Sequence, residues 1–349
     1  CGVRVDASAE ISMKSMLLRE ITSLEQNQTP LSFEEIAEPK IDKSEVLLKV
    51  TRCGVCHTEL DEIEGRTPPL ILPAVLGHQV VGIIEEGKNK GQRVGVAWIA
   101  SACGKCDLCL AGNENLCSDF KATGRDVDGG YAEYMKIRAD YVHPIPDTFT
   151  DSEAAPLLCA GAIGYRSLRL SNIQDGQNLG LMGFGGSNHL VLKIAKHKFP
   201  NAKIFVFSRN PDEREFALSL GAAWAGAIDQ NPLVGLDAVI DTTPVWDPVS
   251  EALKVLNPGG RLVINAIRKE ESDKEVLSKL DYPSQLWMEK EIKSVANVTR
   301  QDVREFLALA AEANIKPEFQ EYDLKDANQA LLEMKRGNIR GAKVLRVAE

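Results

Sequence analysis

Little in this sequence suggests a membrane span, a leader or a nucleic-acid arm. It contains no run of about 18 apolar residues, which argues against a transmembrane helix. No charged segment with an apolar core and a small-residue cleavage site opens it, so export is not expected. Basic residues number 41 against 50 acidic ones, the net charge is −9, and the two signs are interspersed. A nucleic-acid binder would normally carry a basic stripe. Internal repeats and low-complexity segments are missing too. What is left, 44% hydrophobic and 26% charged, is the composition expected of an ordinary cytoplasmic enzyme. Its 349 residues exceed the ~250–300 at which a single core stops growing, so two domains are expected.

Cysteine, by contrast, is present at eight positions: 1, 53, 56, 103, 106, 109, 117 and 159. In a chain of this size without a leader, cysteines point to metal binding or catalysis before disulfides. Cys1 falls in residues 1–12, which precede the first methionine and read as an extension without a role. Residues 53–61, Cys-Gly-Val-Cys-His-Thr-Glu-Leu-Asp, concentrate thiols, an imidazole, a hydroxyl and two carboxylates. That density raises the question of a metal site, and of whether the C-x-x-C pair is what chelates.

Short apolar runs broken by Gly and Pro up to about residue 150 predict a β-rich, barrel-like unit. The texture then changes. Thr150 and Glu153 have the spacing of a capping box opening a helix. Strand-like and helical segments alternate over 156–297, predicting a parallel sheet flanked by helices. Two more helical stretches, 303–313 and 327–335, and a strand-like end follow.

Cys103, Cys106, Cys109 and Cys117 follow C-x2-C-x2-C-x7-C, a spacing with which one loop can wrap a tetrahedral ion. Four thiolates leave no open position, so a zinc there would be structural, stapling a loop with little core of its own. An iron–sulfur cluster or unrelated buried cysteines are the alternatives.

Gly183, Gly185 and Gly186 sit where a strand meets a helix, the place for a dinucleotide pyrophosphate. Asn188 stands where the fingerprint has its third glycine, which predicts slightly looser helix–strand packing. At the end of the next strand Ser208 and Arg209 replace the acid that would hold a free ribose 2′-hydroxyl. A hydroxyl beside a guanidinium suits a 2′-phosphate, favouring NADP over NAD. Arg209 could instead be a surface charge or stack on adenine.

From Met16 to Val347 the chain resembles the zinc-dependent medium-chain alcohol dehydrogenases. The stretch 53–60, Leu76-Gly77-His78-Gln79-Val80-Val81-Gly82, the four-cysteine lobe, Leu157-Leu158-Cys159-Ala160-Gly161 and the glycine turn carry the likeness, in family order. The resemblance implies an α/β architecture: a GroES-like β-rich catalytic domain, 13–155 and 298–349 with a structural-zinc lobe at 103–117, and a Rossmann doubly wound parallel-sheet domain, 156–297. It implies two zincs per chain, with Cys56, His78 and Cys159 as the open catalytic set. Cys53 is then a small buried hydrophobe rather than a ligand. His57 and Arg340 would reach the cofactor phosphates. Thr58 would begin a proton relay, Asp61 stands where relatives end it with a histidine, and Glu59 replaces an aspartate behind the ligands. Gln79 replaces the glutamate of the usual Gly-His-Glu.

The function implied is interconversion of alcohols, primary ones foremost, and aldehydes with NADP or NAD, by a homodimer or homotetramer with no nucleic-acid or membrane partner. A polyol, ketone or activated-alkene enzyme of the same fold is the alternative, and a non-catalytic zinc- and nucleotide-binding scaffold a distant one. Trp98, Phe120 and Trp287 are the pocket-wall candidates, each also readable as plain core.

Overall fold

A computed structural model describes residues 11–337 and 341–348. Chain contacts gather into two units. The first runs to Cys103, resumes at Ser118–Leu158 and closes from Glu318; the second takes Gly104–Cys117 and Cys159–Pro317.

The first unit is built on the long strand Glu45–Val55. Eight of its eleven residues are buried, as its Val- and Leu-rich sequence requires. It is central in a seven-stranded sheet, flanked by Gln79–Glu86 and Ala342–Arg346, with Tyr134–Arg138 also pairing to it. The antiparallel register sets Cys53 opposite Val80 and Gly54 opposite Gln79. One strand therefore leaves the sheet at Cys56 beside the point where the other enters from His78. Gly77 makes that entry possible. It has φ 98°, and a Cβ there would lie 2.4 Å from the Tyr131 ring and 2.8 Å from Cys53 Sγ. A smaller sheet joins Leu31–Ala37, Ser12–Leu18 and Ala74–Val75, with Ser12 already paired to Ala37.

The expected capping box at Thr150 is formed: Thr150 Oγ1 accepts the Glu153 N–H at 3.2 Å, and the Glu153 carboxylate accepts the Thr150 N–H at 2.8 Å. The helix Asp151–Pro156 ends on a proline that cannot donate to the ladder, and Leu157–Gly161 continue as a π turn. The unit boundary at 158/159 falls inside that turn, so Cys159 stands on the same helical segment as Leu157 and Leu158.

The second unit contains a six-stranded, all-parallel sheet. Its spatial order is Trp224–Gly226, Lys203–Phe207, Asn178–Met182, Leu236–Asp241, Leu256–Ile264, Glu291–Ser294. Numbered within the unit this is 3-2-1-4-5-6, the doubly wound dinucleotide order, in which ligands bind where the order reverses. Met182, Phe207, Leu236, Val239, Leu253 and Leu262 are buried in its core, each contributing roughly 1.5–3 kcal/mol of apolar burial. Residues 104–117 group with this unit. The Glu114 carboxylate accepts the Arg300 backbone N–H (3.0 Å) and Nε–H (3.2 Å), and Asn115 donates to Ala296 O at 2.6 Å. Leu108, Leu110 and Leu116 remain exposed, so the lobe has scant core of its own. Among the described residues no helix is long and apolar enough to cross a membrane.

Candidate metal centre and nucleotide turn

The helix His57–Ile63 starts on a cysteine. Cys56 is its N-cap, and Cys56 Sγ accepts the Thr58 N–H at 3.3 Å. Glu59 folds back to accept the Cys56 N–H at 2.8 Å with one oxygen. Its other oxygen lies 2.6 Å from His78 Nδ1, with both side chains fully buried. One carboxylate thus holds the thiol-bearing backbone and the imidazole together. Binding Nδ1 leaves His78 Nε2 facing Cys56 Sγ, 3.6 Å away. Cys159 completes the set from the π turn, and the ligand atoms of Cys56, His78 and Cys159 all lie within 4.8 Å of one another.

The electrostatics of this group call for a positive charge. Burial alone would depress the His78 pKa, yet Glu59 and Cys56 outweigh it and hold it well above 6.5. A soft dication held by two thiolates and an imidazole satisfies the same demand, so these residues fit zinc. Cys53 does not take part. It is completely buried, and desolvation first, then Glu59, pushes its thiol well above 9.0. The thiols of Cys103, Cys106, Cys109 and Cys117 form a second group within 4.8 Å, with Cys106 and Cys117 sulfurs 3.8 Å apart. Tetrahedral ligands at about 2.3 Å from zinc would stand roughly 3.8 Å apart, so this group fits zinc as well.

Around the first group, Thr58 is half-buried and His57 exposed. Asp61 is buried and binds Arg66 Nε at 2.5 Å, while Arg66 and Lys335 both reach Glu64. Arg66 had no motif to mark it, because its role is to neutralise acids placed by the fold. Gln79 is buried behind Gly54.

In the second unit, Gly183 has φ 76°, and its N–H donates to Phe207 O at 2.8 Å. Gly185 and Gly186 are different: neither needs a left-handed backbone, and a Cβ on either would meet no atom within 4 Å. The protein's own packing therefore does not demand glycine there, whereas a phosphate approaching the backbone would. Asn188 corrects the expectation of looser packing. Its buried amide donates to Met182 O (3.1 Å), Gly183 O (2.8 Å) and Thr242 Oγ1 (3.1 Å), tying the turn to two strand ends. Asn188→Ala should lower stability by about 1–3 kcal/mol and weaken nucleotide binding, measurable by thermal unfolding and cofactor titration. A variant of unchanged stability would show those bonds to be idle.

Ser208 is buried and donates to the Glu213 carboxylate, while Asn210 N–H donates to Ser208 Oγ at 3.2 Å. Arg209 is exposed, and Arg214 Nη1 donates to Ser208 O at 2.9 Å and Arg209 O at 3.3 Å. Glu213 and Arg214 were not foreseen, since they reach the strand end from the following helix. Arg340 lies outside the described residues. Trp98 is buried against Phe120, ring centroids 4.9 Å apart, with Arg125 over its face at 5.2 Å; Trp287 is exposed beside Tyr282.

Comparison with known proteins gives this arrangement its class. Residues 42–147 match the alcohol dehydrogenase GroES-like domain, and residues 188–312 match the zinc-binding dehydrogenase family. The chain is 41% identical over 327 residues to the Mycobacterium tuberculosis protein named "Probable alcohol dehydrogenase AdhA", covering 90% of this chain and 92% of that one. It is 34% identical over 339 residues to an alcohol dehydrogenase of Geobacillus stearothermophilus, covering 93% and 98%. The fold is shared with the structure of CAD from Helicobacter pylori complexed with NADP(H), at a TM-score of 0.81 and 23% identity over 96% of this chain and 98% of that one. The class so defined is a zinc-binding oxidoreductase with a GroES-like and a Rossmann part. Within it, the chain belongs to the zinc-dependent medium-chain alcohol dehydrogenase family.

Proposed function

We propose that the protein interconverts primary alcohols and aldehydes, with a catalytic zinc on Cys56, His78 and Cys159 and a structural zinc on Cys103, Cys106, Cys109 and Cys117. The observation that carries this is the convergence of the three ligand atoms, with Glu59 holding His78 by Nδ1. When bound, the zinc supplies Lewis acidity at the substrate oxygen, and the nicotinamide accepts or returns the hydride. Glu59 keeps His78 in the tautomer and orientation a ligand needs. Thr58, two residues after the ligand cysteine, would accept the alcohol's proton while handing on its own, and Asp61, kept in place by Arg66, stands at the far end of the relay. Gly183, Gly185 and Gly186 leave the cofactor pyrophosphate room against the backbone, and His57 and Arg340 are its further contacts. The two domains divide the work, the β-rich one carrying most of the chemistry and the Rossmann one the nucleotide.

The cofactor reading is NADP, supported by Arg209 and by the second guanidinium of Arg214 at the same strand end. One observation favours NAD instead: the Glu213 carboxylate on Ser208 puts an acid where a free 2′-hydroxyl would be held. Following cofactor absorbance with aldehydes and alcohols, using NADPH and NADH in turn, tests activity and cofactor together. Glu213→Gln should raise kcat/KM for NADPH relative to NADH by about tenfold, because a carboxylate no longer opposes a phosphate. A wild-type enzyme that turns over NADH alone rejects the NADP reading.

A further inference from the structure

In the second unit, one buried lysine gathers the loop that follows the strand Leu236–Asp241. That strand pairs with Asn178–Met182 where the strand order reverses, so residues 242–246 leave the sheet beside the glycine turn. They touch it. Thr242 donates to Met182 O through its N–H at 3.1 Å and its hydroxyl at 3.2 Å. A Cβ on Gly183 would lie 3.1 Å from Thr242 Oγ1 and 3.1 Å from Thr243 Cγ2. Thr242 and Thr243 are themselves half-buried. Lys269 reaches this loop from beyond the next strand, Leu256–Ile264. Its ammonium has three protons and meets three acceptors: the Asp241 carboxylate, Thr243 O at 2.8 Å and Val245 O at 2.8 Å. Its side chain is 7% exposed and that of Asp241 0%. The other Asp241 oxygen accepts the Thr243 N–H at 3.0 Å and the Thr243 hydroxyl at 2.7 Å. The backbone repeats the tie, Asn265 N–H donating to Asp241 O and Glu270 N–H to Pro244 O, each at 2.7 Å.

We propose that Lys269 is a positioning residue for the nicotinamide half of the cofactor: by holding Asp241 and the carbonyls of Thr243 and Val245, it fixes Thr242 and Thr243 as the wall on which that half is seated. The inference rests on the reading of the glycine turn as a dinucleotide site, and Lys269 acts through the loop. The place follows from the sheet. A doubly wound sheet offers one mononucleotide half on its first three strands and another on its last three, with the dinucleotide lying across the reversal. Ser208 and Arg209 follow the second strand, Lys203–Phe207, and so stand on the adenosine side. Thr242 and Thr243 follow the fourth and face the other half. A buried ion pair stabilises a fold little more than apolar residues of the same size would, and its best use is to select one conformation. A wall already in that conformation loses no ordering entropy when the ligand docks, whereas a loose one does.

In the zinc-loaded protein, Lys269→Met should weaken binding of the full dinucleotide, NADPH and NADH titrated in turn by fluorescence, by about tenfold or more. ADP and its 2′-phosphate carry the adenosine and pyrophosphate without the nicotinamide half, and should bind within about twofold of wild type. Amide hydrogen exchange over 242–247 should quicken by about tenfold or more, with none at 236–240. Lys269→Met leaves Asp241 buried without its counter-charge, so Asp241→Asn combined with Lys269→Met is the second variant if the single one folds poorly. It removes both charges and should show the same selective loss. A folded variant that binds the dinucleotide as wild type does, or that loses dinucleotide and ADP affinity equally, overturns the proposal. Exchange is measured without cofactor, so the two failures are told apart. A wild type that binds neither dinucleotide brings down the cofactor reading and this inference with it, whereas unchanged exchange in the variants brings down the Lys269 clamp alone.

Discussion

Replacing Cys159 with alanine is expected to lower kcat/KM by about a thousandfold or more and to reduce the zinc content from two per chain to one. The magnitude follows from losing Lewis-acid stabilisation worth several kcal/mol, each 1.36 kcal/mol being about a factor of ten. Three ligands leave one position open for substrate; two leave a centre that water and chelators can strip. The fold should survive, because Cys159 is only half-buried and sits in a π turn packed through Leu157 and Leu158. Metal analysis, circular dichroism and steady-state kinetics on one preparation make the test. Full activity in the variant would sink the assignment of the third ligand, and loss of both zincs would point to a collapsed fold.

The second large effect concerns stability. Cys103→Ser should cost the other zinc and lower the thermal midpoint by about 10 °C, while cleavage by protease within 103–117 becomes rapid. The lobe cannot replace the lost tie with core: its helix Asp107–Leu110 has no buried residue. What remains are polar anchors, Glu114 to Arg300 and Asn115 to Ala296, which close only while the loop is held in shape. Residual turnover at low temperature is expected, because none of Cys56, His78 and Cys159 lies in the lobe. A variant that keeps two zincs and its protease resistance would contradict the four-cysteine site.

Fold and candidate site were legible to different depths. Strand texture, the Thr150–Glu153 cap and the alternation after residue 156 report local periodicity, and the fold follows them. Asn188 was misjudged because a missing glycine was weighed as a loss of packing. Its amide instead finds three acceptors, supplied by the ends of strands near 182 and 242.

By itself, the sequence determined the glycine turn and the succession of β-rich and doubly wound parts, since each is written in short-range spacing. Tertiary structure alone decided which side chains meet. The register that sets Gly54 opposite Gln79 brings Cys56 to His78, and the return of Glu59 then joins both. Such meetings are set by strand register and burial across long stretches of chain, and local residue spacing does not encode them.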